Sequence, residues 1–211
     1  MAPAYTVISI LGPPGAGKGT QYKLLCEKLD MIHLSLGDVL RAELRHPESK
    51  VADTIRENMA LGRVGAKEIT VPLLRTAMEK VAADAEKPGE AVFLLDGRIS
   101  PEARQAEFFE ETVASPIAIL VLECEEEVIK ARLKQRAIEE GRFDDDDETI
   151  ERRLATFYGE TGVVLEHYQA RGKVYRVDGG GSREEVAERL GGVVIEVLKG
   201  QTGAGDLSLQ D

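Results

Sequence analysis

The run Gly12-Pro13-Pro14-Gly15-Ala16-Gly17-Lys18-Gly19-Thr20 constrains this chain more than any other stretch. Before it stands Thr6-Val7-Ile8-Ser9-Ile10-Leu11, apolar and rich in β-branched residues, which reads as a buried strand. After it, Gln21 to Leu29 reads as a helix. Strand, glycine-rich loop and helix together are the setting of a phosphate-binding P-loop. Glycines let the backbone curl until successive N–H groups point inward at an anion, and the helix N-terminus adds its partial positive charge. Lys18 brings a mobile cation for the outer phosphates of a nucleoside triphosphate. One place departs from the general pattern. It calls for Ser or Thr directly after the lysine, whereas Gly19 stands there and Thr20 comes next.

The rest of the chain alternates in period. Strands are expected at Tyr5–Leu11, near His33–Leu34, and at Ala91–Leu95, Ile117–Glu123 and Val174–Val177. Helices are expected over 101–112, 126–139, 147–170 and 183–198, and over 37–84 with breaks near Pro47, Gly62 and Pro72. Strands alternating with helices predict an α/β fold with a doubly wound, five-stranded parallel sheet. Ligands of such sheets bind beyond the C-terminal strand ends, where the P-loop and Asp96 both fall. The 211 residues suit one domain over 1–199, with a Gly-rich, polar tail over 200–211.

Composition narrows the function. A net charge of −11 argues against general nucleic-acid binding, so positive charge must be concentrated locally to meet an anionic nucleotide. Cys26 and Cys124 sit in apolar surroundings without metal-ligand spacing, as expected of buried thiols in a reducing compartment. Neither an apolar leader nor a long apolar run is present. The expectation is a cytoplasmic protein that binds no membrane.

Four ordered motifs carry a resemblance. They are Gly15 to Thr20; His33-Leu34-Ser35-Leu36-Gly37-Asp38-Val39-Leu40-Arg41; Phe93-Leu94-Leu95-Asp96-Gly97; and Gly141-Arg142-Phe143-Asp144-Asp145 through Leu154. Together they resemble the adenylate kinase and UMP-CMP kinase family over residues 5–198, and the glycine after the P-loop lysine is that family's variant. The resemblance implies a P-loop NTPase-type sheet with a helical monophosphate-binding insert (about 35–65) and a short lid (about 135–145), most often in a monomer. It implies Mg²⁺-dependent, reversible phosphoryl transfer from ATP to a nucleoside monophosphate, with ATP, AMP or UMP/CMP as partners.

The same resemblance implies the following roles, residue by residue. Gly15, Ala16, Gly17, Lys18, Gly19 and Thr20 hold the triphosphate, with Arg132 against its adenine. Lys18, Asp96, Arg136, Arg142 and Arg153 form the catalytic set, the arginines converging on the transferred phosphoryl and Asp96 ordering waters around Mg²⁺. Arg132 and Arg136 are four apart, so a helix puts them on one face. Leu36, Gly37, Arg41, Val64, Gly97, Arg98, Gln105, Arg142 and Arg153 serve the acceptor, and Asp144 and Asp145 latch the lid. Gly181 falls in the loop that meets the adenine of ATP; it reads equally as a plain turn before a helix capped by Ser182. Asp96 reads also as a turn cap before Gly97.

The departures gather on the acceptor side. The family's Asp-Gly-Phe-Pro-Arg is here Asp96-Gly97-Arg98-Ile99-Ser100, so its phosphate-binding arginine is absent at Ser100, with Arg98 two residues earlier as a candidate substitute. Leu36 offers a base no hydrogen bond, and Gly65 replaces an apolar residue. The stretch from Gln105 to Phe109 resembles short adenylate kinases, which favours AMP. His46-Pro47-Glu48-Ser49 and Glu68 to Leu74 resemble UMP-CMP kinases but lie mostly outside the base pocket, so AMP is the expected acceptor and UMP or CMP the alternative. A degenerate relative that binds ATP but catalyses little, and a kinase with a non-nucleotide acceptor, are the competing readings.

Overall fold

The computed structural model describes residues 5–60, 65–84, 91–96, 103–140 and 147–203. Five described strands, β1 (Tyr5–Leu11), β2 (Ile32–Ser35), β3 (Ala91–Asp96), β4 (Ala118–Glu123) and β5 (Val174–Asp178), form one sheet in the order β2-β3-β1-β4-β5. Every pairing is parallel. Parallel neighbours require crossovers, which the helices supply: α1 (Lys18–Leu29), α2 (Leu36–Leu44), α3 (Ala52–Ala60), α4 (Lys67–Ala83), α5 (Ala103–Thr112), α6 (Glu126–Glu140), α7 (Asp147–Gln169) and α8 (Arg183–Gly203). This is the expected doubly wound α/β fold.

Period-2 alternation along β1 sorts its side chains between two cores. Ile8 and Ile10 face α1 and α8, packing with Tyr22, Leu25, Leu190 and Val194. On the opposite face, Val7 joins Phe93, Met78 and Phe109 from β3, α4 and α5, while Leu11 joins Ile119 and Val164 toward α7. Full burial of an aliphatic side chain contributes about 1.5–3 kcal/mol, so truncating Leu25 or Leu94, both at 0% exposure, removes a substantial share of the net stability. Ser9 is the exception on this strand. It is wholly buried, and its hydroxyl has no hydrogen-bond partner among the described residues.

Two boundaries differ from the sequence reading. Pro72 was expected to break a helix and instead lies inside α4. Its missing N–H leaves the carbonyl of Glu68 without its helical donor, a cost of about 3 kcal/mol at a helix interior. Burial of Val71, Leu74 and Met78 from the same helix, at about 1.5–3 kcal/mol each, outweighs it. At the other end of the chain α8 continues to Gly203, past the 198 expected, and the remainder of the anticipated tail lies outside the described residues. No helix among the described residues is long and apolar enough to cross a membrane.

Candidate active site at the C-terminal sheet edge

β1 delivers the chain into the glycine-rich loop at the C-terminal edge of the sheet. The turn closes on itself where Ala16 N–H donates to Pro13 O (3.2 Å), and Thr20 and Gln21 N–H both donate to Gly17 O (3.0 and 3.1 Å). Gly17 caps α1 from the left-handed region (φ 92°), a glycine with no side chain to offer the helix end, and the first turn holds no acidic residue. The positive end of α1 therefore opens into the loop. Gly15 is required twice over. Its φ is +82°, and a Cβ there would stand 2.8 Å from Leu133 Cγ and 3.0 Å from Ile129 O. The loop thus rests directly on α6. Lys18 Nζ donates to Gly12 O (2.7 Å) and Pro13 O (3.0 Å), which folds it across the loop mouth.

The start of α2 lies on the same edge. Pairing aligns Ile10 with Asp96 and Asp96 with Ser35, so the ends of β1, β3 and β2 fall in line. Ser35 caps α2, its hydroxyl accepting from Asp38 N–H at 3.4 Å. Arg41 lies over Gly37 and pairs with Asp38 at 2.6 Å, both partners being half or more exposed. Leu36 packs with Leu34, Val39 and Phe108 against the core shared by β3, α4 and α5. A small cleft between α2, α3 and α4 is lined by Leu40, Ile55, Asn58, Met59, Gly65 and Thr70.

Tyr22 joins the two halves. Its hydroxyl, buried between sheet and helix, donates to Ile10 O (3.0 Å) and Leu95 O (3.2 Å). Its ring stacks on His33 at 4.4 Å. Burial pushes the phenol well above its usual range, and the Asp96 carboxylate adds to that shift. Burial also lowers His33, against the pull of Asp96 and Asp38. Tyr22 has no local signature in the sequence, because its partners arrive from two strands.

A second glycine-rich loop lies where β5 meets α8. Arg132, from α6, donates to Gly179 O through both terminal nitrogens (3.3 Å each) and lies 3.7 Å from Cys124 Sγ. Gly181 sits at φ +94°, a conformation that side chains resist. Ser182 caps α8 as expected, and Glu185 returns the bond: Glu185 N–H reaches Ser182 Oγ (3.2 Å) and Ser182 N–H reaches Glu185 Oε2 (2.8 Å). The bond from the Ser182 N–H holds the Glu185 carboxyl below its usual range. Arg189, absent from the sequence-derived site, donates to the carbonyls of Asp178 and Gly180. The signal available in sequence was an acid and a base four apart, Glu185 and Arg189, directly behind three glycines.

The site brings the P-loop, Asp96, Arg41 and Gly37 to one sheet edge and sets Arg132 and Gly181 beside it. Val64, Gly97, Arg98, Arg142, Asp144 and Asp145 lie outside the described residues, as do the side chains of Gln105, Arg136 and Arg153. The backbones of those last three stand on α5, α6 and α7. Among the described residues no three His, Cys, Asp or Glu side chains gather as a metal cage. A single strand-end carboxylate beside a phosphate loop suits Mg²⁺, which keeps most of its waters and binds one or two carboxylates plus substrate phosphates.

Comparison with known proteins adds a second line. The family model for adenylate kinase matches residues 10–173. UMP-CMP kinase of Lentinula edodes is 39% identical over 202 residues, covering 93% of this chain and 88% of that protein. UMP-CMP kinase of Gallus gallus is 36% identical, covering 87% and 94%. Adenylate kinase isoenzyme 1 of Oryctolagus cuniculus is 37% identical, covering 87% and 91%.

Proposed function

This chain belongs to the adenylate kinase family and is a nucleoside monophosphate kinase, and on that premise we propose that it transfers the terminal phosphoryl group of ATP reversibly to UMP and CMP. The observation that carries the reading is the shared sheet edge, where the P-loop with Lys18, the Asp96 carboxylate and the Arg41 end of α2 face one region. The relatives named UMP-CMP kinase support pyrimidine acceptors. A second reading, AMP, is favoured by Gln105 and by the similarity to adenylate kinase isoenzyme 1.

The chemistry asks for two phosphate chains held in line with their charge neutralised, because little covalent work falls to the protein. An acceptor phosphate oxygen attacks the γ-phosphorus of ATP while the bond from that phosphorus to the β–γ bridging oxygen breaks, so ADP and a nucleoside diphosphate result. Lys18 leaves the carbonyls of Gly12 and Pro13 for the outer phosphates. Arg41 exchanges Asp38 for the acceptor phosphate at little cost, since exposed ion pairs stabilise by only about 0–1 kcal/mol. Arg136, Arg142 and Arg153 complete the charge around the transferred group, with Arg98 standing in for the arginine missing at Ser100. Asp96, through water, and Thr20 would hold Mg²⁺, which neutralises phosphate charge when bound. Gly97, Val64 and Leu36 frame the acceptor, and Asp144 and Asp145 latch the lid that excludes water.

The test is ADP release with Mg-ATP against UMP, CMP, dCMP, AMP and GMP in parallel. Saturation with UMP and CMP supports the first reading, and saturation with AMP alone supports the second. Silence across the panel with ATP still bound points to the degenerate relative. Lys18→Ala is expected to abolish turnover while the fold persists, and full activity in that variant would refute the assignment of the loop.

A further inference from the structure

We propose that Arg189 is a positioning residue for the base of the donor nucleotide, acting through the loop Asp178-Gly179-Gly180-Gly181-Ser182. The inference rests on the kinase reading only in taking ATP as the ligand. Three consecutive glycines give this loop more conformational freedom than any other residue type would. A nucleotide binding to it must either order the loop or find it ordered. The hydrogen bonds show how it is ordered. Gly179 N–H donates to Glu123 O (2.6 Å), and Gly180 N–H donates to Asp178 Oδ1 (2.8 Å). Gly179 O accepts from Arg132. Arg189 then takes the carbonyls on either side: Nη1 donates to Asp178 O and stands 3.2 Å from Asp178 Oδ2, and Nη2 donates to Gly180 O at 2.7 Å. Ser182 is satisfied by Glu185 and by Val186 N–H (3.2 Å).

Among the described residues, this accounting leaves the N–H and C=O of Gly181 as the loop's backbone groups without a protein partner. A neighbouring donor and acceptor on one peptide segment complement a purine edge bearing an amino group beside a ring nitrogen. They oppose an edge bearing a carbonyl beside a ring N–H. Arg189 is packed against the same glycine, since a Cβ on Gly181 would lie 3.1 Å from Arg189 Nη2. By holding both flanking carbonyls, its planar fork turns the peptide groups of Gly181 to one fixed orientation. Lysine carries the same charge but reaches one acceptor at a time.

The experiment is calorimetric binding of ATP and GTP to the full-length chain, wild type, R189M and R189K, with unfolding midpoints and steady-state kinetics alongside. R189M is expected to weaken ATP binding by about tenfold and to reduce the ATP-to-GTP preference by a similar factor, with the acceptor KM unchanged. R189K is expected to fall between the two. R189M binding ATP within twofold of wild type would overturn the proposal. So would equal losses for ATP and GTP tracking a lowered unfolding midpoint, since that is what a purely structural arginine produces. Should R189M fail to fold, R189K decides by the same ratio. Wild type that binds ATP yet turns over no monophosphate refutes the acceptor reading and leaves this one standing. Wild type that does not bind ATP refutes both.

Discussion

Replacing Gly15 with alanine tests whether the phosphate loop is held in shape by α6. Two costs add. The residue sits at φ +82°, and forcing an L-residue into the left-handed region costs about 1–2 kcal/mol. The new methyl would stand 2.8 Å from Leu133 Cγ, 3.0 Å from Ile129 O and 3.1 Å from Ile129 Cγ2. One of these atoms is backbone and the other two belong to side chains packed with Ile150 and Leu154, so none can move freely. Overpacking of that kind costs about 1–3 kcal/mol. The expected loss is therefore about 2–5 kcal/mol by urea unfolding, with ATP binding weakened in parallel. Gly19→Ala in the same motif is the control. A Cβ there meets nothing within 4 Å and the position is helical, so stability is expected to rise by about 0.4–1 kcal/mol. A G15A variant within about 0.5 kcal/mol of wild type would refute the claim that contact with α6 shapes the loop.

Tyr22→Phe is expected to cost about 0.5–1.5 kcal/mol near neutrality through loss of the bonds to Ile10 and Leu95. It should also flatten the alkaline limb. The native phenol stays protonated where the unfolded one, at its ordinary 10.0, ionises, so native stability falls as pH rises above 10 in wild type and less so in the variant. Parallel limbs in urea titrations from pH 9 to 11.5 would contradict this. Ser182→Ala removes the cap of α8 and is expected to lower stability by about 0.5–2 kcal/mol, measured as a shift in the urea midpoint. An unchanged midpoint would show that Glu185 alone suffices there.

The P-loop and all five strands were legible because their signals are local: a β-branched run, glycines and a helix start within one stretch of chain. Ser182 was legible as a cap for the same reason. Pro72 misled because a local rule lost to burial of its neighbours, which sequence reveals only once the partner surface is known. Tyr22 and the role of Arg189 were hidden for a related reason. Tyr22 answers a carbonyl 73 residues away and leaves no spacing to read, whereas Arg189 leaves only its spacing from Glu185, which does not show that it answers carbonyls across a helix start. The acceptor side, where Leu36, Gly65 and Ser100 depart from the family pattern, is also where base preference was least legible.

Ile129, Arg132 and Leu133 of α6 are three and four residues apart, so one helical face supports both the loop after β1, through Gly15, and the loop after β5, through Gly179. That face acts as a ruler. Between Ile129 and Arg132 the helix rises about 4.5 Å, and this rigid increment sets where the loop after β5 stands relative to the loop after β1. A single residue inserted there would swing Arg132 about 100° around the axis and uncouple the two grips, although every residue that touches them was retained. The distance between the two loops is in this sense written into the pitch of a helix that belongs to neither of them.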